Sequence, residues 1–237
     1  MRKLIIKYGI EFFVIVFGIS VSFFVENYRE SIEKDKQRVI TIKSIINELE
    51  FNDDYYKLRA ETITRNVNFV RLLVEDSLTL DVMKTYPQQY SPANPFMSAT
   101  GFAPNQSIFN SLVNDGSLNL IKSSSLKAEI DNLYTTSYNS VITYIEEEKD
   151  IAVEAEKMFM KKYPNLYLKN IWFNYRDLDV LTEFVSAIND DSDFKALMLF
   201  KLSLMQAKSR QLNQYIVTKD SLLNELKNSL KSKLTAD

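Results

Sequence analysis

The sequence predicts an all-α protein: one N-terminal transmembrane helix that continues into a long helical, coiled-coil-like bundle of three or four long helices. Three observations carry this expectation. Residues 8 to 25 form an apolar stretch broken by a single acid, Glu11. The 237-residue chain holds only 4 glycines and 5 prolines, and neither type occurs between Gly18 and Pro87, so tight hairpins are scarce and helix is the default. Apolar residues then recur at alternating three- and four-residue spacings in two long tracts, as in helices that pack along a seam. With 46% hydrophobic and 25% charged residues, the chain has the composition of a protein that fills a core.

The apolar stretch covers roughly 27 Å as a helix, enough to cross a bilayer core, and Leu4, Ile5 and Ile6 extend it. A buried core helix is normally amphipathic, whereas Phe12 to Val25 is apolar all round apart from Ser20 and Ser22. A cleaved signal peptide fits the basic Met1-Arg2-Lys3 start, but the run exceeds the usual h-region and no Ala-x-Ala site follows. An uncleaved signal anchor is expected. It divides the chain into a tail and anchor (1–25), a long amphipathic helix (26–85), a proline- and aromatic-rich loop (86–105) and the remaining helices (106–237). Arg2, Lys3 and Lys7 on one side nearly balance Arg29, Lys34, Lys36 and Arg38 on the other. A short basic tail before a long hydrophilic body places the tail in the cytoplasm and the body across the membrane.

Glu11 falls about one turn inside the span, and Lys7 precedes it by four residues on the same face. It reads either as an interfacial carboxylate relieved by Lys7 and snorkelling, or as a polar contact to a partner helix. Gly18 and Ser22 form a small-xxx-small pair that permits close helix approach. Beyond the span, Val39, Ile42, Ile46, Leu49, Asp53, Tyr56, Ala60, Ile63, Val67, Val70 and Val74 make a heptad seam in which only Asp53 is polar. Lys36, Arg38, Lys43, Glu48 and Arg59 flank it, and Asn52-Asp53-Asp54 is the expected bend. Extended backwards, the same register puts Ile32, Val25, Gly18 and Glu11 on one row, provided the helix supercoils.

Pro87, Pro92, Pro95, Pro104 and Gly101, with Tyr86, Tyr90, Phe96 and Phe102, mark a loop over 86–105. Its length implies that it is pinned to the surface by its aromatics or used to bind a partner. A short helix follows from Ser107 to Asp115 with Ile108, Phe109 and Leu112 inward, ended by Gly116. Ser123-Ser124-Ser125 caps a helix from about Leu126 to Lys162. Its inner face is Ile130, Leu133, Tyr134, Val141, Ile145, Ala152, Ala155 and Phe159; Glu146, Glu147, Glu148, Asp150, Glu154 and Glu156 lie on its outer side. Residues 166–176, with the sole tryptophan, Trp172, show little helical period and predict a short strand or an extended aromatic plug. Asp177 caps the next helix, and Asp190-Asp191-Ser192-Asp193 opens the last. That helix has a weaker seam of Leu202, Met205, Ser209, Leu212, Ile216, Lys219, Leu223, Leu226 and Leu230. Its Lys208, Arg210, Lys219, Lys227, Lys231 and Lys233 read as a solvated face, or as a contact to anionic lipid if the helices fold back.

Cysteine and histidine are both absent, which excludes disulfides, thiolate nucleophiles, Cys/His metal sites and imidazole acid–base chemistry. Glycine-rich phosphate loops are missing as well, and a net charge of -2 gives no global pull toward nucleic acid. The acidic clusters at 52–54, 146–148 and 190–193 lack the glycine and terminal glutamate of a calcium loop and read as solvated faces or helix N-terminal charge. A two-carboxylate hydrolase is the one mechanism composition leaves open, and no spacing singles out its pair. The expectation is therefore no enzyme, no cofactor, no metal and no nucleic-acid partner.

The run Gly9-Ile10-Glu11-Phe12-Phe13-Val14-Ile15-Val16-Phe17-Gly18-Ile19, then Glu26-Asn27-Tyr28-Arg29-Glu30 and Asn47-Glu48-Leu49, resembles a family of uncharacterised bacterial single-span membrane proteins. Phe109, Leu112, Gly116, Leu118, Ile121 and Leu126 are similar to a second block of that family. The likeness covers about a third of the chain and departs at Tyr28, where the family favours tryptophan. It implies an inner-membrane anchor, a helical body and a recurring Glu11, and supplies no catalytic residue.

These readings lead to two functional expectations. The first is a non-enzymatic, membrane-anchored helical protein acting by helix–helix association, with itself or as an accessory subunit of a cell-envelope complex, through Glu11, Gly18 and Ser22. Its partners would be membrane lipid and protein. The alternative is a ligand-binding sensor domain with a pocket or partner surface near Trp172, Phe173 and Tyr175.

Overall fold

A computed structural model describes residues 2–87, 89–169, 171, 172, 174 and 176–234, the side chains of 2–10 and 232–234 excepted. Among the described residues every regular element is helical: α1 (Arg2–Phe51), α2 (Asp53–Val74), α3 (Leu80–Lys84), α4 (Asn94–Met97), α5 (Ser107–Asn114), α6 (Ser124–Asn132), α7 (Tyr138–Lys162), α8 (Pro164–Leu168), α9 (Leu178–Asn189) and α10 (Ser192–Leu234). A 3-10 turn at Ser117–Leu120 precedes α6, and a π-helical segment at Leu133–Ser137 joins α6 to α7.

The long N-terminal helix has two regimes. From Glu11 to Lys34 every residue is exposed, and the apolar part, with a mean hydropathy of 1.4, is long and apolar enough to cross a membrane. Ile42, Ile45, Ile46 and Leu49 are then buried, because here other helices cover the seam. The expected bend falls at Asn52, whose φ of -83° and ψ of -4° distort the helix without ending it. Helical hydrogen bonds pass through it, Asn52 N to Glu48 O at 3.2 Å and Tyr56 N to Asn52 O at 2.9 Å.

The helix expected to reach residue 85 stops at Val74. Ser77 N bonds Leu72 O at 2.8 Å and Asp76 N bonds Leu73 O at 3.2 Å, with Asp76 left-handed at φ 56°, a Schellman ending built without glycine. Aspartate tolerates that conformation better than most residues, so no sequence signal marked the stop. Thr79 then caps α3 by accepting from Val82 N at 3.2 Å.

α10 runs antiparallel to the α1–α2 track. Lys227 meets Glu50 at 2.6 Å, Lys219 meets Asp53 at 2.5 Å, Tyr215 packs on Tyr56 with ring centroids 5.6 Å apart, and Lys195 pairs with Asp76. On its other side α10 is antiparallel to α7, through Lys208 with Glu148 and Phe194 with Phe159. Every residue expected on the inner face of the 126–162 helix is buried, the π-helical segment being absorbed within it.

Further expectations are corrected. Of the 166–176 stretch expected as a strand or extended plug, residues 166–168 belong to a helical turn, α8, with proline in its first turn and Leu166 buried. Glu148, expected on the outer side of α7, is buried against Lys208. In α10 the buried positions are Lys208 and Tyr215 where the seam predicted Ser209 and Ile216; Lys208 leaves the solvated face for an acid in the interior, and Lys219 is buried against the half-exposed Asp53.

The 86–105 segment is pinned. Phe96, Met97 and Phe102 are buried, and short α4 packs against both α2 and α7. Asn52 clamps its far end, donating to Asn105 O at 2.8 Å and accepting from Asn105 N at 2.9 Å. The backbone polar groups that a loop must satisfy are thus met partly within the segment and partly by the side chains of Asn52, of Tyr55 on α2 and of Lys201 and Lys208 on α10.

Candidate functional site

Of the residues singled out in the apolar segment, Glu11, Gly18 and Ser22 are all exposed. A Cβ added at Gly18 would meet nothing within 4 Å, so that face is open to another helix. Ser20 and Ser22 donate to Val16 O and Gly18 O at 2.8 and 2.9 Å, which satisfies their hydroxyls within the helix. The Lys7 side chain, expected beside Glu11, lies outside the described residues.

Trp172 is half-buried against the core, while Phe173 and Tyr175 lie outside the described residues. A cleft of about 280 Å3 opens where this segment ends, lined by Met83, Tyr86, Tyr90, Pro92, Arg176 and Leu181. Trp172 does not line it.

The interior holds ionic groups that sequence reasoning assigned to the surface. Glu48, on the α1 seam flank, accepts from Ile108 N at 2.6 Å, Phe109 N at 3.2 Å and the Tyr134 hydroxyl at 2.8 Å. It therefore supplies the acceptors that the first turn of α5 lacks and holds that helix against α1. The rings of Phe109 and Tyr134 stack at 4.1 Å beside it. Burial, with the negative charge of Glu48 beside it, pushes the Tyr134 phenol well above its ordinary range. Burial likewise raises Tyr56, and takes Tyr215 up to about 12.

Further along α10, Lys201 donates to Phe96 O and Ser98 O, both at 2.8 Å, and Lys208 donates to Thr100 O at 3.3 Å and to Glu148. Both lysines are fully buried. Burial lowers Lys208, opposed by the charge of Glu148, and brings Lys201 down to about 7. Lys201, Lys208, Tyr215 and Leu222 succeed one another at heptad spacing, the signal that would have placed them inside. The arrangement anchors the 86–105 segment; a lysine sealed from solvent has no route to a substrate.

No group of three or more His, Cys, Asp or Glu residues able to hold a metal ion occurs among the described residues. The 190–193 acids form a helix start instead: Asp191 accepts from Asp193 N and Phe194 N, and Lys162 bridges Asp191 and Asp193 at 2.8 Å each.

No family model, curated protein or solved structure matches the chain.

Proposed function

We propose that this chain is a non-enzymatic, single-span protein of the bacterial inner membrane that works by helix–helix association, as a homo-oligomer or as an accessory subunit of an envelope complex. The observation that carries the reading is the uninterrupted exposure of Glu11 to Lys34, about 36 Å of helix that the rest of the chain leaves uncovered. Its apolar half needs lipid or another helix around it. In this reading the N-terminus is cytoplasmic, and the periplasmic body is a coiled-coil-like bundle of α2, α7 and α10. Glu11, Gly18, Val25 and Ile32 form the contact row. The uncharacterised single-span family fits the same description.

Because the chain has no cysteine, each single-cysteine variant between residues 11 and 34 reports on one position alone. Disulfide crosslinking in membranes is expected to peak at 11, 18, 25 and 32 and to fall between them. Native mass spectrometry of wild type beside Glu11→Ala then separates the two forms: dissociation of a homo-oligomer, or loss of stoichiometric foreign subunits. A flat crosslinking profile together with a monomer in both samples would remove the reading. The second reading, a ligand-binding sensor, draws on the cleft beside Arg176 and Leu181.

A further inference from the structure

We propose that a second cleft, between α2 and the pinned 86–105 segment, is a binding site for a small soluble phosphate-bearing molecule held by Arg59 and Arg65. The cleft has a volume of about 210 Å3 and is lined by Arg59, Thr62, Arg65 and Asn66 on one side and Ser98 and Thr100 on the other, among further groups that include no acid. Arg59, Thr62 and Arg65 fall at successive three-residue steps and Asn66 follows Thr62 by four, so one helix face carries two guanidinium groups with a hydroxyl between them.

The two arginines are treated differently from the other cations in the body. Lys201, Lys208 and Lys219 each have short-range acceptors. Arg59 and Arg65 have no acidic partner among the described residues, and the Nε atom of each is buried without a hydrogen-bond partner. Arg59 lies over the Tyr55 ring at 5.0 Å, Arg65 lies over the Tyr86 ring at 5.6 Å, and Arg65 reaches Thr62 at 3.3 Å. Buried donors without acceptors are costly, and the stacking, with neutral hydroxyls of Thr62 and Tyr86 as the partners of Arg65, fixes the guanidinium planes without neutralising either charge. An oxyanion in the cleft would meet the guanidinium groups that line it and give them the anionic partner they lack.

Phosphate suits the donor geometry better than carboxylate. Two guanidinium groups and the Thr62 hydroxyl line one wall and the Thr100 hydroxyl the other, the Ser98 hydroxyl being spent on Asn94 O at 2.8 Å, and a tetrahedral anion presents oxygens in all those directions. A soluble source is favoured over a lipid headgroup because about 50 Å of helix separates Arg59 from Val25 at the end of the apolar stretch. That choice of source rests on the proposed anchor, whereas the site itself does not.

The test is calorimetric titration of the full chain in an uncharged detergent with inorganic phosphate, against sodium chloride of equal ionic strength. Saturable binding is expected, weakened roughly tenfold or more by Arg59→Gln or Arg65→Gln. Arg65→Lys, which keeps the charge but loses the fork, is expected to bind several-fold more weakly, and Thr62→Val guards against an unfolded arginine variant by testing the site with both charges in place. Absence of saturable binding by wild type, or equal binding by the doubly substituted Arg59→Gln/Arg65→Gln protein, would overturn the site. In nanodiscs, a thermal stabilisation by phosphatidylglycerol that needs no phosphate and is lost in Arg59→Gln would overturn the soluble source. Failure of the crosslinking row at residues 11 to 32 with phosphate binding intact would leave the site standing without its proposed anchor.

Discussion

Lys219 reaches Asp53 at 2.5 Å, so the single polar residue of the first heptad seam is met by the one lysine in the second. Asp220 lies on the same ammonium at 2.6 Å. Burial works against the charge of Lys219, but hydrogen bonds to Asp220 and Asp53 outweigh it and hold the group above the ordinary lysine range. Two apparent defects in the apolar pattern therefore define one pairing register between α2 and α10.

Asp53 is 39% exposed and Lys219 keeps Asp220, so Asp53→Asn is expected to cost about 1 kcal/mol or less. Lys219→Met fills the same volume and leaves only hydrated acids behind; it should stay within about 1 kcal/mol of wild type. Lys219→Ala removes the packing stem and should cost about 2 kcal/mol or more. Urea unfolding of the three variants checks the order.

Glu148 and Lys208 are both sealed from water. Removing either partner, as in Glu148→Ala or Lys208→Ala, strands a charge and is expected to cost about 3–5 kcal/mol. The double replacement Glu148→Leu/Lys208→Met should recover most of that loss. A double variant less stable than either single one would contradict this account of the pair.

Lys201 gives a dependence on pH. Its folded value of about 7 lies below the ordinary 10.5, so between those limits the unfolded chain binds the extra proton and stability rises with pH. Below pH 7 both states hold the proton and this contribution is flat. From pH 7 to 9 wild type should gain about 2 kcal/mol relative to Lys201→Met. Parallel stability curves for the two proteins over that window would rule it out.

Glu48 carries three donors on two oxygens. Glu48→Gln keeps the shape but turns one acceptor into a donor facing donors, at an expected cost of about 1–3 kcal/mol. Tyr134→Phe removes only one donor and should cost less. Hydrogen exchange at Ile108 and Phe109 should quicken in Glu48→Gln more than in Tyr134→Phe.

Periodicity made much of this architecture readable. Ile42, Ile46, Leu49, Tyr56, Ile63, Val67 and Val70 are buried as their spacing implied, Gly116 takes the left-handed turn at φ 76°, and Ser123 and Asp177 cap their helices. What stayed hidden depended on partners distant in sequence. Glu148 looks like its neighbours Glu146 and Glu147 until α10 brings Lys208 beside it, and Lys201 is an ordinary surface residue without the Phe96 and Ser98 carbonyls. The Schellman ending at Asp76 was invisible because aspartate stands where glycine is the usual sign. The cleft at Arg59 and Arg65 needs the fold of 86–105 over α2, which hydropathy does not encode.

From Ile19 to Val74 the chain contains no glycine or proline, and its helical hydrogen bonds pass through Asn52. A shaft of that kind has no swivel. Any turn of the apolar segment about its own axis arrives at Glu48, and Glu48 carries the start of α5 with it. The azimuth of Glu11 and the compass bearing of the body are consequently one variable, so a neighbour that fixes the first also chooses which flank of the protein faces it.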